Sequence, residues 1–312
     1  MRVFLAGAGG VIGRRLVPAL VDAGHEVTGT TRRPERVEAI RAQGAEPVLA
    51  DVYDADAFTA AVVAARPEVV VHELTDIPPT IDPKRYAEQM AGNNRIRTEG
   101  TRNVVAAARD AGARRLVAQS IAFAYRPEGG DTRDEEDPLY LEAPDPLGPT
   151  IHALAELESR VLEAGSPEGV VLRYGYFYGP GTVYASDGPT AVRVRRHRFP
   201  VVGAGGGVFS FVHVDDAAAA TVLALDRGGP GVYNIVDDEP SPVSEWLPEY
   251  ARVLRAKPPG TVPIWLARAA GGGRMVHIME DLRGASNAKA RVELGWTPMY
   301  PSWREGFREG LG

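Results

Sequence analysis

"RVFLAGAGGVIG", residues 2–13, runs from a short apolar stretch straight into spaced glycines. Residues 2–7 fit a buried parallel strand. Gly7, Gly10 and Gly13 then form G-x-x-G-x-x-G. Glycine permits a tight turn and lets the backbone approach a pyrophosphate. Val11, Leu16, Leu20 and Val21 follow near helical spacing. A helix starting here offers free N–H groups and a positive dipole end to phosphates. The sequence thus predicts a dinucleotide cradle from Gly7, Gly10, Val11, Ile12 and Gly13; the alternative is a glycine turn with no ligand. A lone glycine motif is weak, but a strand before it and a helix after it give it weight.

The pattern then repeats. "HEVTGTT" (25–31) reads as a second strand. Helices are expected over 34–43, 54–65, 93–111 and 151–164, and strands over 46–50, 68–74, 114–120 and 169–174. Strands alternating with helices imply an α/β fold, a Rossmann-type doubly wound parallel sheet. The second strand ends in "TTRRPER" (30–36), where an NAD site usually carries an acid. Arg32 and Arg33 can instead clamp a 2′-phosphate, so NADP is expected over NAD; otherwise they are solvated loop residues. Asp51, followed by Val52, is expected either to accept from the adenine amino group or to cap the next helix.

With 312 residues and 44% hydrophobic side chains, the chain can build one large domain or two coupled ones. A net charge of −6 does not invite nucleic acid or an anionic membrane. Cysteine is absent, which removes disulfides, thiol nucleophiles and thiolate metal sites and suits a cytoplasmic protein. Residues 1–20 do not read as a signal peptide, and no run of roughly 18 apolar residues is present. The six histidines are scattered without metal-ligand spacing, so no metal site is expected. G-x-S-x-G is also missing.

Further motifs follow in order: "NNRIRTEGTRNVVAAARDAGARRLVAQS" (93–120), "LRYGYFYGPGT" (172–182), "FVHVDDAAAA" (211–220), "GVYNIVDDE" (231–239) and "SNAKARVELGWTP" (286–298). With the glycine loop they resemble the extended short-chain dehydrogenase/reductase family, the NAD(P)-dependent epimerase/dehydratase group, over nearly the whole chain. The resemblance implies a cofactor domain from 1–175 and 208–237. It implies a smaller substrate-binding lobe from 176–207 and 238–312. It also implies that Ser120 and Tyr178 lie beside the nicotinamide, that Asn94 stabilises a helix distortion, and that Arg173 fixes the Tyr178 loop. Arg193 and Arg196 would reach a substrate phosphate or carboxylate, or else form a solvated helix face. Asp215 or Asp216 would cap a helix. A homodimer is possible by the same analogy.

One family feature is missing. Its enzymes use a serine, and a tyrosine four residues before a lysine, for proton transfer. The only lysines are Lys84, Lys257 and Lys289, and four residues before them stand Thr80, Val253 and Ala285. Alignment on Glu158 puts Thr150 and Leu154 at the tyrosine and lysine positions, and Ile121 at the serine. Substitute proton carriers are then Tyr125, His152 and Glu73. Each also has a plain reading, as a packing aromatic, a surface histidine or a loop acid. Two functions are open: an NAD(P)(H)-dependent oxidoreductase or epimerase/dehydratase acting on a small polar molecule with a non-standard proton donor, or a non-catalytic NADP(H)-binding sensor or scaffold.

Overall fold

The computed structural model describes residues 1–269 and 272–312. The first half runs β1 (Arg2–Ala6), α1 (Gly13–Asp22), β2 (Glu26–Thr31), α2 (Val37–Ala42), β3 (Glu46–Leu49), α3 (Ala55–Ala65), β4 (Val69–His72), α4 (Tyr86–Arg95), α5 (Thr101–Asp110), β5 (Arg115–Ile121), β6 (Thr132–Arg133), α6 (Gly148–Leu162) and β7 (Glu168–Tyr174). Then come β8 (Tyr176–Tyr178), α7 (Pro189–Arg195), β9 (Val201–Val202), β10 (Val208–Phe209), β11 (Phe211–His213), α8 (Val214–Ala224) and β12 (Gly231–Ile235). The remainder holds β13 (Ser241–Pro242), α9 (Val243–Val253), β14 (Thr261–Val262), α10 (Ile264–Ala269), α11 (Gly273–Val276), β15 (Gly284–Ala285) and α12 (Trp303–Glu309).

Seven strands form one sheet in the order β12-β7-β5-β4-β1-β2-β3, and every pairing is parallel. Side chains alternate across a strand. In β1, Val3 and Leu5 pack with Leu16, Val17 and Leu20 of α1 and with α8. Phe4 and Ala6 pack the other way, with Phe58, Val62, Val104 and Val161. Both faces are therefore covered, which is why this strand reads as a nearly continuous apolar run.

The helix expected over 93–111 starts earlier and is not uniform. A π-helical turn, Ile96–Gly100, separates α4 from α5. The hydroxyl of Thr98 donates to the Asn94 carbonyl at 3.1 Å, and that of Thr101 to the Ile96 carbonyl at 3.4 Å. These bonds satisfy backbone groups inside a widened turn.

A second core is largely aromatic: Tyr178, Tyr184, Phe209, Phe211, Trp246, Tyr250, Trp303 and Phe307. Phe209 and Phe211, at the start of the segment 208–237, pack here, while Val212, Val214 and Ile235 of the same segment pack with β1 and α1. Asp216 joins the two bodies. Its carboxylate accepts from the Met299 and Tyr300 N–H groups, so it anchors the C-terminal tail rather than capping α8. The cap comes from His213, whose Nδ1 accepts from the Asp215 N–H at 3.2 Å.

Beneath β5, β7 and α6 lies a buried ion pair. Arg173 donates to both oxygens of Glu158, at 2.9 and 2.6 Å, and each side chain is about 6% exposed. The Ser120 hydroxyl also donates to Glu158, and Arg173 donates to the Tyr125 hydroxyl at 2.9 Å. Removing one partner strands a buried charge. Glu158→Ala is expected to cost about 3–5 kcal/mol in urea unfolding, and Glu158→Leu/Arg173→Met to recover much of it. A loss below about 1 kcal/mol for the single variant, the range of a surface pair, would contradict this account.

Candidate active site

The strand order reverses direction between β1 and β4, and ligands of open α/β sheets bind where such strands end. The glycine turn sits there. Gly7 has φ +104°, and a Cβ on it would lie 2.7 Å from the Glu73 carbonyl oxygen. A Cβ on Gly13 would overlap the Gly7 carbonyl oxygen and approach that of Ala8 to 2.5 Å. The first turn of α1 thus starts flush against β1. The Gly10 N–H bonds the Gly7 carbonyl at 2.9 Å, while those of Val11, Ile12 and Gly13 have no backbone acceptor among the described residues. Three N–H groups and a helix N-terminus together suit a pyrophosphate.

The cationic rim differs from the expected one. Arg32 faces Asp76 at 3.7 Å, with both side chains about half exposed, while Arg33 is exposed. Arg36 is the residue laid across the glycine turn. It donates to the Gly9 carbonyl at 2.5 Å, and a Cβ on Gly9 would meet its Cδ at 2.9 Å. Burial depresses its pKa, and the nearby charges of Arg33 and Arg14 add to that. Sequence reading passed over Arg36, although it stands inside the quoted "TTRRPER". Asp51 does not cap α3: its Oδ1 accepts from the Tyr53 N–H, and Asp54 caps through the Ala57 N–H. Val52 is buried, with its carbonyl held by Asn103 Nδ2 at 2.8 Å.

The three substitute proton carriers have different surroundings. His152 is exposed on α6, while Thr150 and Leu154 are buried. Tyr125 is 3% exposed; its hydroxyl donates to Asn234 Oδ1 at 2.7 Å and accepts from Arg173, which makes it part of the buried ion-pair network. Ser120 belongs to the same network through Glu158, so its hydroxyl points at α6. Tyr178 is fully buried in the aromatic core, edge-on to Phe307 and His213. Its ring does not line the crevice.

Glu73, the first residue after β4, is not solvated. It is 4% exposed and accepts from the Tyr174 hydroxyl at 3.0 Å, which also bonds Thr221 of α8. Its Oε2 has no partner. Burial pushes its pKa up to about 8, which keeps the carboxyl neutral near pH 7. Its neighbour His72 faces the other side of the sheet, bonded to Thr101, and burial brings its pKa down to about 4.

Thr150 and Leu154 hold the positions that the resemblance gives to the tyrosine and lysine. The Thr150 hydroxyl accepts from Tyr86 at 3.4 Å and from Asn94 Nδ2 at 3.5 Å. Leu154 is fully buried among Ala124, Ala143 and Ile151. Neither side chain exchanges a proton near neutral pH. Of the two arginines expected at a substrate, Arg193 lies over the Phe199 ring at 4.8 Å. Arg196 is apart from it, in an outer groove with His197, Arg255 and Lys257.

Comparison with known proteins places the chain in a family. The profile of the NAD dependent epimerase/dehydratase family matches residues 3–236. A Streptomyces protein named 3-diazoavenalumate denitrifying reductase is 50% identical, over 98% of this chain and 99% of its own length. Among solved structures, a UDP-glucose 4-epimerase from Thermotoga maritima superposes with a TM-score of 0.77 at 21% identity, covering 100% of this chain and 97% of that one. The Thermus thermophilus UDP-glucose 4-epimerase in complex with NAD gives 0.74 at 25% identity, covering 100% and 98%. The chain belongs to the NAD dependent epimerase/dehydratase family, whose chemistry is of the oxidoreductase and epimerase type. Among the described residues no helix is long and apolar enough to cross a membrane.

The Glu73 environment gives a pH signature. Unfolded, this carboxyl ionises near 4.5; folded, near 8. Between those values the native state keeps a proton that the unfolded state has released, so stability falls as pH rises. Glu73→Gln should therefore flatten the decline in melting temperature between about pH 5 and 8. An unchanged slope in the variant would show that Glu73 is not the buried neutral acid.

Proposed function

We propose that the protein is an NADP(H)-dependent reductase that replaces the diazonium group of an arene by hydrogen. The observation that carries this reading is the pair Thr150 and Leu154, in a chain half identical to a denitrifying reductase along its whole length. A ketoreductase must protonate an alkoxide, and an epimerase must move a proton on and off a hydroxyl. Neither Thr150 nor Leu154 can serve as the donor for either task. Reductive loss of a diazonium group needs none. A bound dihydronicotinamide would supply a hydride; as the C–H bond forms at the ring carbon, the C–N bond breaks and dinitrogen leaves with its electron pair. Atoms and charge balance with no proton taken or given.

The chain's own residues then bind, orient and exclude water. The turn from Gly7 to Gly13 would hold the pyrophosphate on the free N–H groups of Val11, Ile12 and Gly13. Arg36, with Arg33 and Arg14, would receive a 2′-phosphate, the feature that favours NADP over NAD. Asp51 stands at the adenine end, and Tyr178 supports from behind the loop that closes the cleft. Glu73, held neutral beneath the turn, spares the site a second negative charge beside the phosphates.

Two measurements test this. With NADPH and diazotised 3-amino-4-hydroxybenzoate, the protein should release dinitrogen and 4-hydroxybenzoate, oxidising one NADPH per molecule. NADPH carrying deuterium at C4 should leave it on the ring, and kcat should vary little between pH 6 and 8. Ketone reduction without dinitrogen release would overturn the reading, and NADPH binding without turnover on either class would favour a sensor. Separately, Arg36→Ala should weaken NADPH by roughly ten- to a hundred-fold and NADH far less, by fluorescence titration. Equal weakening of both would remove Arg36 from the 2′-phosphate site.

A further inference from the structure

Arg274, on α11, reaches across to the first domain. Its guanidinium carbon lies 4.6 Å from the centroid of the Tyr86 ring on α4, and the Tyr86 hydroxyl meets Thr150. The cation therefore stands beside the turn of α6 where family members carry their proton donor. Two more rings border this space. Phe123, just past the end of β5, stacks on Tyr176 with centroids 4.0 Å apart. Arg274 is near enough to Tyr176 and Tyr184 for its charge to act on their hydroxyls. Phe123, Tyr176 and Arg274 all remain partly exposed.

This arginine has no acid. Among the described residues it enters no ion pair, and its Nε is buried with no hydrogen-bond partner. Arg193 of α7 also acts on Tyr184, lies close enough to Arg274 to be repelled by it, and donates only to the Arg198 carbonyl. A buried guanidinium edge without an acceptor, next to a second unpaired cation, is costly unless an anion joins them. The Nε edge of a guanidinium presents two parallel N–H groups, which match the two oxygens of a carboxylate. The surrounding rings match an aromatic body.

We propose that the cleft recognises an aromatic carboxylate, with the ring between Tyr86 and the Phe123–Tyr176 pair and the carboxylate received by Arg274 and Arg193. This rests on reading the cleft as the substrate site of the reductase, and it adds the group by which a substrate is chosen and aligned. The carboxylate end would be held by the second lobe, leaving the opposite end of the ring toward the glycine turn.

Binding can be measured without turnover, so the test stands apart from the diazonium chemistry. Protein saturated with NADP+ is titrated by calorimetry with 4-hydroxycinnamate and with its methyl ester. The acid should bind roughly ten-fold or more tighter than the ester. Arg274→Met should remove that preference and leave ester and NADP+ binding unchanged; Arg274→Lys should restore part of it. Arg193→Ala, a surface change, should weaken the acid by a smaller factor and serves if Arg274→Met does not fold. Equal binding of acid and ester, binding of neither, an Arg274→Met protein that keeps the preference, or competition by inorganic phosphate at matched concentration would each overturn the proposal. Dinitrogen release with no preference for the acid would overturn this inference alone. A clear preference with no dinitrogen release would overturn only the diazonium reading.

Discussion

The contact on which the rest depends is the one between the start of α1 and the end of β1. Gly13 sits so close to the Gly7 and Ala8 carbonyls that no side chain fits. Gly7 in turn adopts φ +104° while pressed on the Glu73 backbone. Alanine at either place would push α1 off β1 or force a left-handed strain. Because the helix starts there, Leu16, Val17 and Leu20 reach Val3 and Leu5. For the same reason the N–H groups of Val11 to Gly13 are left without backbone acceptors among the described residues. One packing constraint thus builds the core on one side and an anion cradle on the other.

The second determinant is the Arg173–Glu158 pair with Ser120, Tyr125 and Asn234. Polar side chains that the family resemblance places near the chemistry are here spent on one another. Ser120 and Tyr125 have their hydroxyls committed inside the network, so neither is free to meet a substrate. A buried pair of this kind holds a register more than it adds stability. It ties β5, α6 and β7 together through side chains from each, and so fixes the turn of α6 that presents Thr150 to Tyr86.

The order of strands and helices was legible because each element carries a local signal. β1 and β4 are apolar on both faces and α1 has helical spacing, so their places follow from periodicity alone. The missing lysine was legible too, since three lysines leave only three places to search. Arg36 was not, because its neighbour across the turn is Gly9, 27 residues back in the chain, and no local pattern reports that contact. For Tyr125, Ser120 and Tyr178 a place near strand ends was legible, but not the partners, Asn234, Glu158 and Phe307, that decide which way each side chain turns. The same limit hid Arg274, whose meaning comes only from Tyr86, 188 positions away by number, on another body of the fold.

The losses and the gains in the cleft have a common logic under the proposed reaction. An arenediazonium is a cation and an aggressive electrophile. A lysine at position 154 would stand beside it as a like charge; at 5 Å and an effective dielectric of 20 the repulsion is about 3 kcal/mol. A tyrosine at 150 with a lowered pKa would be a phenolate, the very nucleophile that couples to diazonium ions and would tie the enzyme to its substrate. Thr150 and Leu154 avoid both outcomes. The hydroxyls of Tyr176 and Tyr184 lie where desolvation raises their pKa, so both stay phenols. Even the placement of charge is consistent, because Arg274 approaches from the second lobe, where a carboxylate lies between it and the electrophilic end of the ring. For the proposed reaction, threonine at 150 and leucine at 154 suit the site better than a tyrosine and a lysine would.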